Sequence, residues 1–204
     1  MLALAGLGAF HGVNPAMGWL FAVGLGLQHK SRAKVLWALV PITLGHAASI
    51  AAVVAAVAIL RDRLDIAYLR WAAAAMLIAF GLYRLRGRHR PRSTGMQVGF
   101  RDLALWSFLM ATGHGAGLML LPVLLHMPAG PAHAGHVGTM APEVAVAAVA
   151  VHTAAMLAVT GAIAVAVYEW IGLAFLRRGW INLDPLWTIA LLAAGLALLV
   201  PAIL

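Results

Sequence analysis

The chain has 204 residues, of which 64% are hydrophobic and 10% charged, and its mean hydropathy is +0.95. This balance excludes an ordinary water-soluble domain and is typical of a bundle of membrane helices. The lack of cysteine excludes disulfides and thiolate metal sites. The formal charge of +8 does not indicate nucleic-acid binding, because the basic residues lie in short links between apolar stretches.

Six stretches of the chain are apolar over the roughly 20 residues that a transmembrane helix needs. They cover residues 2–27, 34–60, 66–85, 102–125, 143–169 and 185–204. The sequence therefore predicts an all-α integral membrane protein with six transmembrane helices.

Lys and Arg are distributed unequally between the two sides of this predicted bundle. Eleven lie on the side that includes the Arg-rich link 86–101, and two or three lie on the other side. Because basic links stay in the cytoplasm, we expect the link 86–101 to be cytoplasmic. The loop 126–142 and both termini are then outside, in a multi-pass protein of a bacterial-type inner membrane.

Histidines divide the chain into two similar halves. Each half has one histidine in its first span and one in its second, namely His11, His46, His114 and His152. We interpret residues 1–85 and 102–204 as two three-helix repeats joined by the basic linker 86–101. Since each repeat has an odd number of spans, the two have opposite orientations, which is the inverted 3+3 layout of many secondary transporters.

The same histidines predict a site in the membrane. An ionisable side chain inside a span is costly and indicates function, and neutral imidazole is a common metal ligand. In the first span, helical spacing places three potential ligands on one face, and Pro15 deprives the carbonyl of His11 of its helical donor. The predicted metal ligands are His11, Asn14, Met17, His46, His114 and His152. The alternative is that each histidine bonds a carbonyl and only holds helices together.

The predicted outer loop 126–142 is also rich in ligand side chains. It contains no Lys or Arg, and its three histidines and two methionines are His126, Met127, His133, His136 and Met140. Such a loop is suited to capture or release a metal ion at the outer surface. The alternative is a plain connector whose histidines are incidental.

Two short motifs resemble the nickel/cobalt transporters and the related nickel/cobalt efflux proteins. The first-helix signature of that family is His, an acidic residue three later and a second His six later, often with Pro after the acid. His11-Gly12-Val13-Asn14-Pro15-Ala16-Met17 follows this frame, with Asn14 in place of the acid and Met17 in place of the second His. Gly45-His46-Ala47 is similar to the second-helix signature Gly-His-Ser. The resemblance implies nickel or cobalt as the substrate, whereas the two replacements favour softer ions such as copper.

These observations predict a secondary transporter for a transition-metal ion that works by alternating access. Its partners are the lipid bilayer and the metal ion (Ni, Co or Cu), and a homo-oligomer or separate energising or accessory subunits are further options. Enzymatic activity is not expected, because no carboxylate lies inside the membrane to act as a general base, and Glu143 and Glu169 sit at the ends of a span. The alternatives are a haem- or metal-binding membrane protein with paired histidines, either an electron carrier or a metalloenzyme assembly factor, and a transporter of an organic solute.

Overall fold

The computed structural model describes residues 1–61, 64–86, 99–126, 142–171 and 184–199, and every regular element in these ranges is helical. The α-helices are α1 Leu2–Val13, α2 Trp19–Gln28, α3 Arg32–Arg61, α4 Ile66–Arg86, α5 Phe100–Gly113, α6 Leu121–His126, α7 Pro142–Ala166 and α8 Asp184–Leu199. Two 3-10 turns, Pro15–Met17 and Leu118–Leu120, lie between α1 and α2 and between α5 and α6, and a π-helical turn Val167–Ile171 continues α7. The all-helical prediction is confirmed for this part of the chain.

Among the described residues, two helices are long and apolar enough to cross a membrane. They are α3, over Arg32–Val57, and α7 with its π-helical turn, over Glu143–Ile171. The pair α5 and α6 is a third candidate if it is counted as one span, although it bends by 50° at its break. The remaining helices α1, α2, α4 and α8 are apolar but contribute shorter stretches.

Each of the predicted spans 2–27 and 102–125 is divided between two helices; the sequence indicates a disturbed turn at Pro15 but no break near Gly113. The first stretch breaks after Val13 because Asn14 adopts an extended conformation (φ −69°, ψ 123°) and Pro15 follows it. The second breaks after Gly113, where Gly115 has a left-handed φ of 69°. Residues 127–141 of the predicted outer loop 126–142 and residues 87–98 of the predicted linker 86–101 lie outside the described residues.

Glycines set the closest helix contacts of the bundle. A Cβ on Gly8 would strike the backbone carbonyl of His152, and one on Gly12 would lie 2.7 Å from the carbonyl oxygen of Met156, so α1 and α7 meet backbone to backbone. Gly45 gives α3 the same close approach to the carbonyl of Ala104 in α5. Such small-residue crossings are typical of helices that pack in membranes. The third major pair, α4 and α8, packs through larger apolar side chains such as Leu77, Leu191 and Leu198.

Candidate metal site in the helix bundle

Three histidines from three helices converge in the interior of the bundle. His11 comes from α1, His46 from α3 and His152 from α7, and all three are fully buried. The ring centroid of His11 lies 5.5 Å from that of His46 and 4.9 Å from that of His152, and the centroids of His46 and His152 are 5.6 Å apart. We call these three residues the histidine triad.

Within the triad, His46 and His152 meet at their Nε2 atoms. These atoms are 3.4 Å apart, much closer than the ring centroids, and the ring planes differ by only 5°. This distance is long for a hydrogen bond between nitrogens. It matches the separation of about 3.3 Å between two imidazole nitrogens that bind one tetrahedral ion at about 2.05 Å. Nδ1 of His46 is buried and has no hydrogen-bond partner. Whichever of the two Nε2 atoms carries the proton, at least one nitrogen of the pair therefore lacks a hydrogen bond.

The third member, His11, is oriented by its own helix. Its Nδ1 lies 2.7 Å from the carbonyl oxygen of Leu7. Since a carbonyl only accepts, Nδ1 donates, and the neutral ring therefore has its lone pair on Nε2. A backbone carbonyl thus fixes the tautomer of His11 in a form that suits metal binding through Nε2.

The fourth predicted histidine, His114, repeats this local arrangement. It is buried, and its Nδ1 donates to the carbonyl oxygen of Met110 at 2.8 Å, again four residues earlier. It also interacts electrostatically with His11, which shows that it lies near the triad. The structure therefore brings three of the four predicted histidines together and places the fourth nearby.

In this conformation, the triad does not have the geometry of a complete metal site. In the described part of the chain, no group of three or more His, Asp or Glu side chains has the geometry of a metal site. The His46–His152 pair offers two nitrogens at a suitable separation, and an ion held by all three rings requires a shift of the His11 ring. The chemistry available is that of neutral imidazole donors in a water-poor interior.

Asn14 and Met17 have other roles in the structure. Asn14 is the N-cap of the first 3-10 turn, where its Oδ1 accepts a hydrogen bond from the backbone N–H of Ala16 at 2.9 Å. The Met17 side chain packs in a core cluster with Ile42 and Leu103. The expected shared helical face of His11, Asn14 and Met17 is wrong, because α1 ends before Asn14.

At the break between α1 and α2, more backbone carbonyls accept hydrogen bonds than the sequence predicts. The carbonyl of His11 is not left without a donor, since it accepts from the N–H of Asn14 at 3.1 Å. The carbonyl of Val13 accepts from the indole N–H of the buried Trp19 at 3.1 Å. Gly18, with φ 117°, then starts α2. Most of the buried polar groups at this break therefore have hydrogen-bond partners, as a break in an apolar helix bundle requires.

The second break has the same plan as the first. In both, a histidine that donates Nδ1–H to the carbonyl four residues earlier lies within two residues of a helix end. In both, a three-residue 3-10 turn begins four residues after that histidine, and a glycine with positive φ lies at the break. The sequence motif around His114 lacks Pro and Asn, so only the structure reveals this correspondence.

Four hydroxyls lie near the histidines in sequence, and in the described part of the chain none of them bonds an imidazole ring. Ser49 and Thr112 bond each other at 2.9 Å across α3 and α5, and Thr112 also donates to the carbonyl of Phe108. The buried hydroxyls of Thr43 and Thr153 lack a hydrogen-bond partner. The groups that orient two of the histidines are backbone carbonyls, which sequence reasoning missed because every residue type carries one. Gly8 was missed too, although its spacing to Gly12 follows the G-x-x-x-G pattern of close helix pairs.

Comparison with known proteins yields no match among family models, curated proteins or solved structures.

Proposed function

We propose that this chain is a multi-pass membrane transporter for a transition-metal ion, and that the histidine triad is its central binding site. The observation that carries the proposal is the convergence of His11, His46 and His152 from three helices, with Nε2 atoms of two of them 3.4 Å apart. Among the described residues no carboxylate acts on the triad, and three buried imidazoles are costly as mere packing. They become favourable when a cation takes up their lone pairs.

A membrane location is supported by the surface of the described helices. Large apolar side chains such as Leu2, Ile59 and Val146 are 63% to 91% exposed, which is unfavourable in water. On α4, Tyr68 and Trp71 are exposed near one end and Tyr83 near the other. Aromatic side chains at both ends of an apolar stretch are typical of helices anchored at two membrane interfaces.

The two matching breaks support the inverted 3+3 repeat. In addition, the first segment of each proposed repeat packs on the second segment of the other, α1 on α7 and α5 on α3. Discontinuous helices beside a midplane site are a feature of secondary transporters with inverted repeats. Under this proposal both termini are outside, the Arg-rich linker 86–101 is cytoplasmic, and rocking of the repeats exposes the triad to each side in turn.

Nickel, cobalt and copper are the proposed substrates. Imidazole nitrogen suits Ni²⁺ and Cu ions, and an all-neutral ligand set lowers the preference for ions that require a carboxylate. Asn14 and Met17 are secondary candidates: they border the triad in sequence, and a shift at the break is needed to add their donors.

The triad geometry favours a small ion over haem. Two axial histidines of a haem hold their nitrogens about 4 Å apart with a wide macrocycle between the rings. The His46 and His152 rings meet at 3.4 Å with His11 beside them, which leaves no such gap. A colourless purified protein is therefore expected, and a Soret band would instead favour the electron-carrier alternative.

Metal binding by the purified full chain tests the proposal directly. We expect mass spectrometry and titration calorimetry with Ni²⁺, Co²⁺ and Cu⁺ to detect one ion per chain. His46→Ala and His152→Ala should each reduce the affinity by about tenfold or more, or about 1.4 kcal/mol. The control is His29→Ala, which removes an exposed histidine at the end of α2.

Transport is tested separately with proteoliposomes. Wild-type protein should move the ion that it binds, and His152→Ala should abolish this flux while the variant still elutes as a folded, monodisperse protein. Binding that is unchanged in both triad variants, or equal loss in His29→Ala, would overturn the assignment of the site. Binding without flux would leave the site intact and refute transport.

A further inference from the structure

A second feature of the fold lies away from the triad, where α3 and α7 diverge. A cleft of about 750 Å³ opens between them and is lined almost entirely by aliphatic side chains. One wall is the stripe Leu36, Val40 and Leu44 of α3, spaced four residues apart, and these side chains are 46% to 54% exposed. The middle of the α7 side is lined by the small residues Ala158, Gly161 and Ala162, between the larger Leu157 and Val165. The small side chains of α7 therefore leave open space beside α3 at this position.

The dimensions of the cleft suit one hydrocarbon chain. On α7 it extends from Leu157 to Glu169, which at 1.5 Å per residue is about 18 Å. Half of the hydrocarbon core of a bilayer is about 15 Å thick. The cleft therefore has the length of a single leaflet, and its open side faces away from the protein core.

One end of the cleft is charged, and its charge is positive overall. Arg32 precedes the stripe by one helical turn and forms an ion pair with Glu169 at 3.0 Å. Lys30 and Lys34 lie within two residues of Arg32 in the chain, and the ammonium of Lys34 lies over the ring of Trp37, so this end of α3 carries more positive than negative charge. Trp170, which lines the same end, is 82% exposed, as expected for an indole at the level of lipid headgroups.

We propose that this cleft is a binding site for an anionic phospholipid. One acyl chain lies along Leu36, Val40 and Leu44, and the headgroup phosphate is held at Arg32. The proposal depends on the membrane location argued above but not on metal transport. In the proposed orientation, the charged end faces the cytoplasmic leaflet, where basic clusters attract anionic lipid.

The Arg32–Glu169 ion pair makes the proposal sharply testable, because phosphate and Glu169 compete for the same guanidinium. Arg32→Gln should weaken retention of anionic lipid, whereas Glu169→Gln should maintain or increase it. If the ion pair were only structural, both variants would lose lipid to a similar extent. The two substitutions therefore have different effects under the proposal and the same effect if the ion pair is only structural.

The experiment uses the full chain reconstituted in vesicles of equal phosphatidylglycerol and phosphatidylcholine, extracted in mild detergent and analysed by native mass spectrometry. We expect phosphatidylglycerol to be retained at least fivefold over phosphatidylcholine in wild type, and this preference to disappear in Arg32→Gln. Ala162→Leu, which fills the cleft, should reduce total bound lipid at least threefold. Ala154→Leu, another exposed alanine of α7 outside the cleft, should not change it.

Several results would overturn the proposal. Equal retention of the two lipids in wild type would refute headgroup selection, and full retention in Ala162→Leu would place the lipid elsewhere. A dimer that disappears in Ala162→Leu would show that the cleft is covered by a second copy of the chain. Metal binding by the triad is measured independently, so loss of one result does not imply loss of the other.

Discussion

The contact at Gly12 allows one substitution to test both the packing of α1 and its link to the triad. In Gly12→Ala, the added Cβ would lie 2.7 Å from the carbonyl oxygen of Met156 and 2.8 Å from Cβ of Val159. Ordinary contact begins at 3.4 Å, so α1 and α7 must separate by about 0.7 Å, and neither backbone nor Cβ can rotate away. Overpacking of this kind costs about 1–3 kcal/mol.

The matched control is Gly6→Ala on the same helix, where an added Cβ meets nothing within 4 Å. Replacing an unconstrained helical glycine by alanine stabilises by about 0.5–1 kcal/mol. Unfolding in detergent, followed by circular dichroism, should therefore show shifts of opposite sign for the two variants. A similar shift in both would refute the close crossing of α1 and α7.

The separation also has a consequence for the triad. His11 lies next to Gly12 in α1, and its ring is 4.9 Å from that of His152 in α7. Binding sites tolerate displacements of about 0.5 Å before function suffers. Gly12→Ala should thus lower metal affinity although it removes no ligand, while Gly6→Ala keeps it at the wild-type level.

Three further predictions concern the breaks and the helix contacts. Trp19→Phe removes the donor to the carbonyl of Val13 and should destabilise the protein by about 1–3 kcal/mol in the same unfolding assay, whereas the half-exposed Trp37→Phe should have little effect. Asn14→Ala removes the cap on Ala16 and should cost about 0.5–2 kcal/mol, whereas Asn14→Ser keeps an uncharged cap oxygen at this buried position; equal losses in both would contradict the capping role. Ser107→Ala removes the buried bond to the carbonyl of Ile42 at 2.7 Å and should cost about 0.5–1.5 kcal/mol, and a neutral result would show that this bond does not help to hold α5 on α3.

Hydropathy and periodicity alone predict the helical class and the positions of several helices. The predicted span 66–85 matches α4 within one residue, and the predicted 143–169 matches α7 with its π-helical turn within two residues at each end. These agreements have a simple cause, because a long apolar run between charged residues has few alternatives to a helix. The prediction fails at Asn14 and Gly115, where one or two backbone angles decide whether a helix continues.

For the candidate site, too, the sequence predicts one part and misses another. The four histidines stand out because buried ionisable side chains are rare, and three of them do come together. Asn14 was assigned as a ligand because a continuous helix would have placed it beside His11, but the helix ends one residue earlier. Ring orientation depends on the carbonyls of Leu7 and Met110, which no side-chain pattern can reveal.

The pairing of α1 with α7 also imposes an order on the synthesis of the protein. The ribosome produces α1 first, but its partner begins only at Pro142, which at 5–20 residues per second is delayed by roughly 6–26 s. During that interval, α1 has only 12 residues, too few to cross a bilayer alone, and the imidazole of His11 has neither His46 nor His152 beside it at first. In the proposed membrane location, α1 therefore packs against α7 only after α7 has been synthesised, so their contact forms late in assembly.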